Sequence, residues 1–97
     1  MQRQGDIFFI PINHARKVKE ASPILAEGEI TGHSHRVETL ENVDVFIDDK
    51  GRLIVAVKNG VAKVVHQEHG PILLTEGLYE IRRQREYQPD GWVQVAD

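Results

Sequence analysis

The clearest structural signal in the sequence is the stretch Val43-Asp-Val-Phe-Ile-Asp-Asp-Lys-Gly-Arg-Leu-Ile-Val-Ala-Val57. Val43, Val45 and Ile47 alternate with other residues before Gly51, and the same alternation returns at Leu53, Val55 and Val57. A period of two indicates strands that turn one face to a core. Gly51 can adopt the positive φ that a tight turn requires. The stretch therefore predicts an antiparallel hairpin.

A second turn signal follows at Asn59-Gly60. Asn-Gly is the strongest short hairpin signal, since both residues tolerate positive φ. It predicts a turn into a further strand from Val61 to His66, and so three consecutive antiparallel strands.

In the rest of the chain, turn-forming residues separate short apolar runs, and there is almost no helical periodicity. This pattern is typical of short strands. We predict strands at Asp6–Ile12, Ile24–Ile30, Ile72–Leu74, Leu78–Ile81 and around Trp92, and an exposed loop at Asn13–Ser22. This pattern predicts one all-β domain over residues 1–97, built as a small antiparallel β-barrel or sandwich.

The composition limits the classes of function that the protein could have. The chain has 97 residues, a formal net charge of -3 and no cysteine. A metal would therefore be held by nitrogen and oxygen ligands, and the charge supplies no general attraction to nucleic acid. The apolar run Ile7–Ile10 is too short for a signal peptide or a membrane span. We expect a soluble cytoplasmic protein with no membrane partner.

Histidine is the most informative residue type. Four of the five histidines form two close pairs, His33 with His35 and His66 with His69. Residues i and i+2 of a strand project to the same side, so the first pair can reach one atom. Imidazole is a common transition-metal ligand, and the four histidines predict a site for a divalent ion such as Zn, Fe, Mn or Ni. His14 is expected to be a surface residue.

Three roles remain open for this cluster, and the first is metal binding, either catalytic or structural. A site with three protein ligands and one open position favours catalysis, whereas a closed site with four favours a structural role. Glu29, Glu38 or Glu68 could add a carboxylate ligand, and Glu29 and Glu68 are the candidate catalytic acid or base. The other roles need no metal: the histidines form a catalytic pocket, or they are structural hydrogen-bonding groups.

The polar segment from Arg82 to Tyr87 is the second candidate site. Arg83, Arg85 and Tyr87 share one strand face, and they are candidates for binding a small anionic substrate. A nucleic-acid contact is less favoured, because nearby glutamates and a charged sheet edge account for the pattern. The alternative to a metal-dependent enzyme is a binding or assembly module that uses this face, with homo-oligomerisation expected.

Gly28, the His33-x-His35 pair and a later histidine near Pro71 and Gly77 resemble the two motifs of the cupin superfamily. The resemblance implies a small β-barrel with an internal metal, held by His33, His35 and one of the later histidines. Glu38 departs from the cupin spacing.

The chain also resembles a family of small uncharacterised bacterial and phage-associated proteins. The shared motifs are Arg3-Gln4-Gly5-Asp6, Gly28-Glu-Ile-Thr-Gly-His-x-His35, His66-x-Glu-His-Gly-Pro-Ile72 and Arg83-Gln-Arg-Glu-Tyr87. This resemblance implies that these segments belong together, and it implies no activity.

Overall fold

A computed structural model describes residues 1–27 and 33–84. These residues form eight strands: β1 (Gln2–Gln4), β2 (Ile7–Ile12), β3 (Lys17–Glu20), β4 (Ile24–Glu27), β5 (Ser34–Val37), β6 (Val43–Asp48), β7 (Leu53–Val65) and β8 (Ile72–Arg83). All the strand pairs are antiparallel, and the described ranges contain no α-helix. The predicted all-β antiparallel class is confirmed.

The strands form one sheet centred on β7. The order is β1-β2-β8-β7-β5-β4, with β6 also paired to β7 and β3 paired to β6. The first part of β7, Leu53–Val57, pairs with β6, whereas Val64 and Val65 pair with β5. β8 pairs with β7 on both sides of this change of partner. One long strand therefore holds the two halves of the sheet together.

The predicted hairpin at Gly51 is confirmed. Gly51 has φ 77° between β6 and β7. The buried carboxylate of Asp48 organises the turn by accepting hydrogen bonds from the backbone N–H of Lys50 at 3.0 Å and of Arg52 at 2.8 Å. The Arg52 guanidinium lies 2.7 Å from the same carboxylate. The turn is fixed by both backbone conformation and side-chain hydrogen bonds.

The predicted hairpin at Asn59-Gly60 is wrong. Both residues have positive φ, 49° and 112°, but they lie within β7 and form a bulge. Val57 is opposite Gly77 and Val61 is opposite Thr75, so β7 carries two extra residues at this point. The same positive φ values that close a two-residue turn also build a bulge. Only one hairpin, at Gly51, lies in this region, and the predicted third strand is the continuation of β7.

The two predicted strands Ile72–Leu74 and Leu78–Ile81 are one strand, β8. Gly77, with φ 146°, is not a break but the residue opposite the bulge in β7. A glycine there allows β8 to follow the distortion of its neighbour without interrupting the ladder.

Two edge strands were not predicted. β3 lies in the segment expected to be a loop, and its four residues are all exposed, so it has no apolar face to produce a period. β1 precedes the predicted first strand and pairs with β2 through Gln2–Gln4. The last predicted strand, around Trp92, lies outside the described residues.

The core is formed by residues of β2, β4, β5, β6, β7 and β8. Its main cluster consists of Ile7, Phe9, Leu25, Ala26, Val37, Val45, Val55, Val57, Ala62, Val64, Leu74, Tyr79 and Ile81. His35 is as deeply buried as these apolar residues, with 0% of its surface exposed. A polar ring at this depth requires specific hydrogen-bond partners.

Gly60→Ala tests the bulge. We expect the free energy of unfolding to fall by about 1–3 kcal/mol, because an L residue is strained at this φ. An added Cβ would be 3.5 Å from the Asn42 side chain, an ordinary contact, so the cost is one of backbone conformation. Gly70→Ala is the control, since a Cβ there meets nothing within 4 Å. If urea unfolding shows the same loss of unfolding free energy for Gly60→Ala and Gly70→Ala, the backbone at Gly60 is not a special source of strain.

Asp48→Asn tests the hairpin. Burial acts to raise the pKa of Asp48, but the hydrogen bonds from Arg52 and Lys50 outweigh it, and the pKa lies below the usual aspartate value. A depressed pKa stabilises the fold above the unfolded pKa of about 3.9 and loses that effect as the pH falls through the folded pKa.

We therefore expect Asp48→Asn to lower Tm at neutral pH, with the difference from the natural protein shrinking as the pH falls below about 4. Asp49→Asn, at the exposed neighbouring position, is the control and should change Tm little. A Tm difference that stays constant down to about pH 2.5 would show that the charge of Asp48 is not responsible.

Candidate metal centre

The fold brings the four clustered histidines together. His35 is in β5, His33 directly precedes that strand, and His66 and His69 follow the end of β7. The ring centroid of His66 lies 4.3 Å from that of His35, 4.5 Å from that of His69 and 5.6 Å from that of His33. The rings of His35 and His69 are nearly parallel at 6.1 Å. The two sequence pairs thus form one cluster where β7 ends and β5 begins.

The amide of Gln4 determines the orientation of His35. Its nitrogen donates to the carbonyl of Val64 at 3.1 Å and to that of Gly70 at 2.9 Å. The amide oxygen therefore faces the ring, and it lies 2.9 Å from His35 Nδ1. An amide oxygen can only accept, so Nδ1 carries the proton of this hydrogen bond. In the neutral ring, Nε2 then presents its lone pair.

Asp6 lies beside Nε2, the other ring nitrogen of His35. Its Oδ1 lies 3.3 Å from His35 Nε2, and the residue is 7% exposed. Among the described residues, Oδ1 accepts no hydrogen bond of good geometry. Asp6 follows Gly5, whose φ of 58° makes the turn between β1 and β2. Sequence reasoning missed Asp6 as a site residue, although the motif Arg3-Gln4-Gly5-Asp6 contains both it and Gln4.

Glu68 contacts the outer part of the cluster. Its carboxylate lies 3.1 Å from His33 Nδ1, and the two side chains are 58% and 27% exposed respectively. A carboxylate at Nδ1 favours a proton on that nitrogen and leaves Nε2 as the possible ligand atom. Glu68 was predicted as an acid or base, and the structure places it against one of the histidines.

His66 has the opposite arrangement. The backbone N–H of Glu68 donates to His66 Nδ1 at 3.0 Å. Nδ1 is thus an acceptor, and in the neutral ring the proton lies on Nε2. His66 can use Nε2 as a metal ligand only if this backbone hydrogen bond is given up. The contact is the kind expected of a histidine that fixes a turn.

The remaining candidates divide into two groups. Glu29, Arg85 and Tyr87 lie outside the described residues. Glu38 is exposed and lies 3.6 Å from the ammonium of Lys63. Arg83 is half-buried at the end of β8, paired in the sheet with Ile7. His14 is exposed, as predicted.

A metal would fit part of this arrangement. Asp6 provides a buried carboxylate oxygen and His35 a nitrogen lone pair, which is the donor chemistry that zinc and related ions accept. Within residues 1–27 and 33–84, however, no group of three or more His, Asp or Glu side chains is positioned to hold an ion. The described geometry supplies a pair of donors and further histidines nearby.

Fold and site together define a small antiparallel β-sheet protein with a buried aspartate–histidine pair inside a histidine cluster. Residues 3–84 match the family described as "Domain of unknown function (DUF8820)", and the chain belongs to that family. Neither the curated proteins nor the solved structures contain a significant match to the sequence. The described part of the chain has no helix long and apolar enough to cross a membrane.

Gln4→Ala tests the buried amide. It would leave the carbonyls of Val64 and Gly70 and the His35 N–H without their partner, and we expect the free energy of unfolding to fall by about 2–3 kcal/mol. Gln2→Ala is the matched control, because its exposed amide donates one hydrogen bond to Leu73 O. It should cost less than about 1 kcal/mol. Equal losses in urea unfolding would contradict the role assigned to Gln4.

Proposed function

We propose that the histidine cluster binds one divalent transition-metal ion, such as Zn, Fe, Mn or Ni, and that Asp6 and His35 are its inner ligands. The observation that carries the proposal is the 3.3 Å separation of Asp6 Oδ1 and His35 Nε2 in a buried position. Two tetrahedral ligands bound at about 2.0–2.1 Å are themselves about 3.3 Å apart. A bound cation would neutralise the Asp6 carboxylate and would be coordinated by the lone pair of His35 Nε2.

The contacts behind the histidines support the same proposal. Metal-bound histidines usually donate their second N–H to a carbonyl or carboxylate oxygen, which fixes the tautomer. Gln4 provides such an oxygen for His35, and Glu68 provides a carboxylate near His33 Nδ1.

The remaining ligands would come from the same cluster. Imidazoles that share one ion have ring centroids about 5 Å apart, given metal–nitrogen bonds of about 2.0–2.1 Å. The observed spacings of 4.3–6.1 Å bracket this value. His33 and His69 are the candidates to complete the set by side-chain rotation. His66 would enter the set by exchanging its hydrogen bond with the Glu68 backbone.

A bound ion would act as a Lewis acid or lower the pKa of a bound water if one coordination position stays open. In that case the protein is a small metal-dependent enzyme, and Glu68 is placed to take up a proton because it is exposed beside His33. The substrate class we propose is a small anion. A closed set of four ligands would instead make the ion structural.

The test is metal binding by protein purified without a histidine tag. We expect about one ion per chain by mass spectrometry and zinc titration, and loss of that ion in His33→Ala/His35→Ala. Asp6→Asn should weaken zinc binding by more than about 100-fold, beyond the 10–100-fold typical of losing an outer contact. His14→Ala, at an exposed histidine, is the control.

Circular dichroism of each variant separates loss of a ligand from loss of the fold, because His35 is fully buried. Folded natural protein that neither contains metal nor binds added zinc would refute the proposal. Equal binding by the natural protein and by folded Asp6→Asn would remove Asp6 from the ligand set.

A further inference from the structure

A small depression lies where β5 runs beside the end of β7. Its lining consists of Ser34, Arg36, Val65, His66 and Gln67, and its volume is about 170 Å³. Liquid water occupies about 30 Å³ per molecule, so the depression has room for a group of about five heavy atoms. This is the size of a phosphate or a carboxylate head group.

The strand geometry explains why polar side chains gather here. His35 and Val37 of β5 are buried, so Ser34 and Arg36, which alternate with them, point away from the core. Arg36 is directly opposite Val65 of β7, and opposite residues of a ladder share one face of the sheet. The depression therefore has a cationic side chain beside an aliphatic one at the surface.

The hydrogen-bond donors of the depression are available. Arg36 is exposed, and no residue of 1–27 or 33–84 forms an ion pair or a hydrogen bond with its guanidinium. Gln67 is held by its amide oxygen, which accepts a hydrogen bond from the backbone N–H of Ser34 at 2.9 Å. The Gln67 amide nitrogen and the Ser34 hydroxyl have no partner in these two ranges. Three kinds of donor thus line one small space.

Two glutamates near the depression contact other side chains. The carboxylate of Glu38, two residues after Arg36, lies 3.6 Å from the ammonium of Lys63. The carboxylate of Glu68 lies 3.1 Å from His33 Nδ1. Neither glutamate neutralises Arg36, so the guanidinium retains its full attraction for an external anion.

We propose that this depression binds the head group of a small oxyanion, a carboxylate or a phosphate, with Arg36 as its main donor. The planar guanidinium matches two oxygens of either head group, and the Ser34 hydroxyl and the Gln67 amide can donate to a further oxygen. The site goes beyond the metal centre and does not require its ion. The two adjoin, because His66 lines the depression and also belongs to the histidine cluster.

The test uses metal-free full-length protein, prepared with a chelating resin, and two probes, inorganic phosphate and acetate. Sodium chloride keeps the ionic strength constant, so that general screening does not change during the titration. We expect saturable shifts in the NMR amide resonances of Ser34, Arg36 and Gln67, and in the Arg36 Nε–H resonance. The probe that binds more tightly identifies the head group as phosphate or carboxylate.

Arg36→Gln should weaken binding of the tighter probe by about 10-fold or more, because it removes the charged donor. Arg16→Gln is the matched control. Arg16 is also an exposed arginine whose guanidinium has no partner within the described ranges, but it lies outside the depression. Circular dichroism checks that both variants are folded.

Two kinds of result would overturn the proposal. One is the absence of saturable shifts at these residues with either phosphate or acetate. The other is an equal effect of Arg36→Gln and Arg16→Gln, which would show general charge attraction rather than a site. Because the protein is metal-free throughout, neither result depends on the metal centre.

Discussion

The bulge in β7 is the constraint on which the arrangement of the rest of the molecule depends. Before it, the odd-numbered residues Val55 and Val57 belong to the main core, and after it the even-numbered Ala62 and Val64 do. The positive φ values at Asn59 and Gly60 permit this change of buried face, and the Asn42 amide donates to Asn59 O at 3.0 Å. His66, two residues beyond Val64, is thereby turned inward toward His35.

The buried polar groups are a second constraint, because a domain this small has little apolar surface to offset their desolvation. His35 and Asp6 are almost fully removed from water. Gln4 satisfies two backbone carbonyls and one imidazole nitrogen with a single side chain, which joins β1 to the end of β7 and to the turn at Gly70. Apolar residues in place of these groups would avoid the desolvation cost. A buried acid 3.3 Å from an imidazole is an arrangement found often at functional sites, and the proposed metal site rests on it.

Sequence reasoning succeeded where the determining interactions are local. The hairpin at Gly51 follows from alternation on both sides of a turn glycine. The spacing of the histidines gives two close pairs, but the long-range pairing of β5 with β7 brings the pairs together. It failed at Asn59-Gly60, because a dipeptide that favours positive φ suits a turn and a bulge equally, and the pairing partners decide between them. It missed Asp6 for a similar reason. A single aspartate after a turn glycine is ordinary until the fold places His35 opposite it.

Asp6 also connects the histidine cluster to the end of β8. Its side chain faces His35, and its backbone carbonyl accepts a hydrogen bond from the N–H of Gln84, the residue directly after β8, at 2.6 Å. A ligand that shifts the Gly5-Asp6 turn must also move the end of β8, since this hydrogen bond joins them.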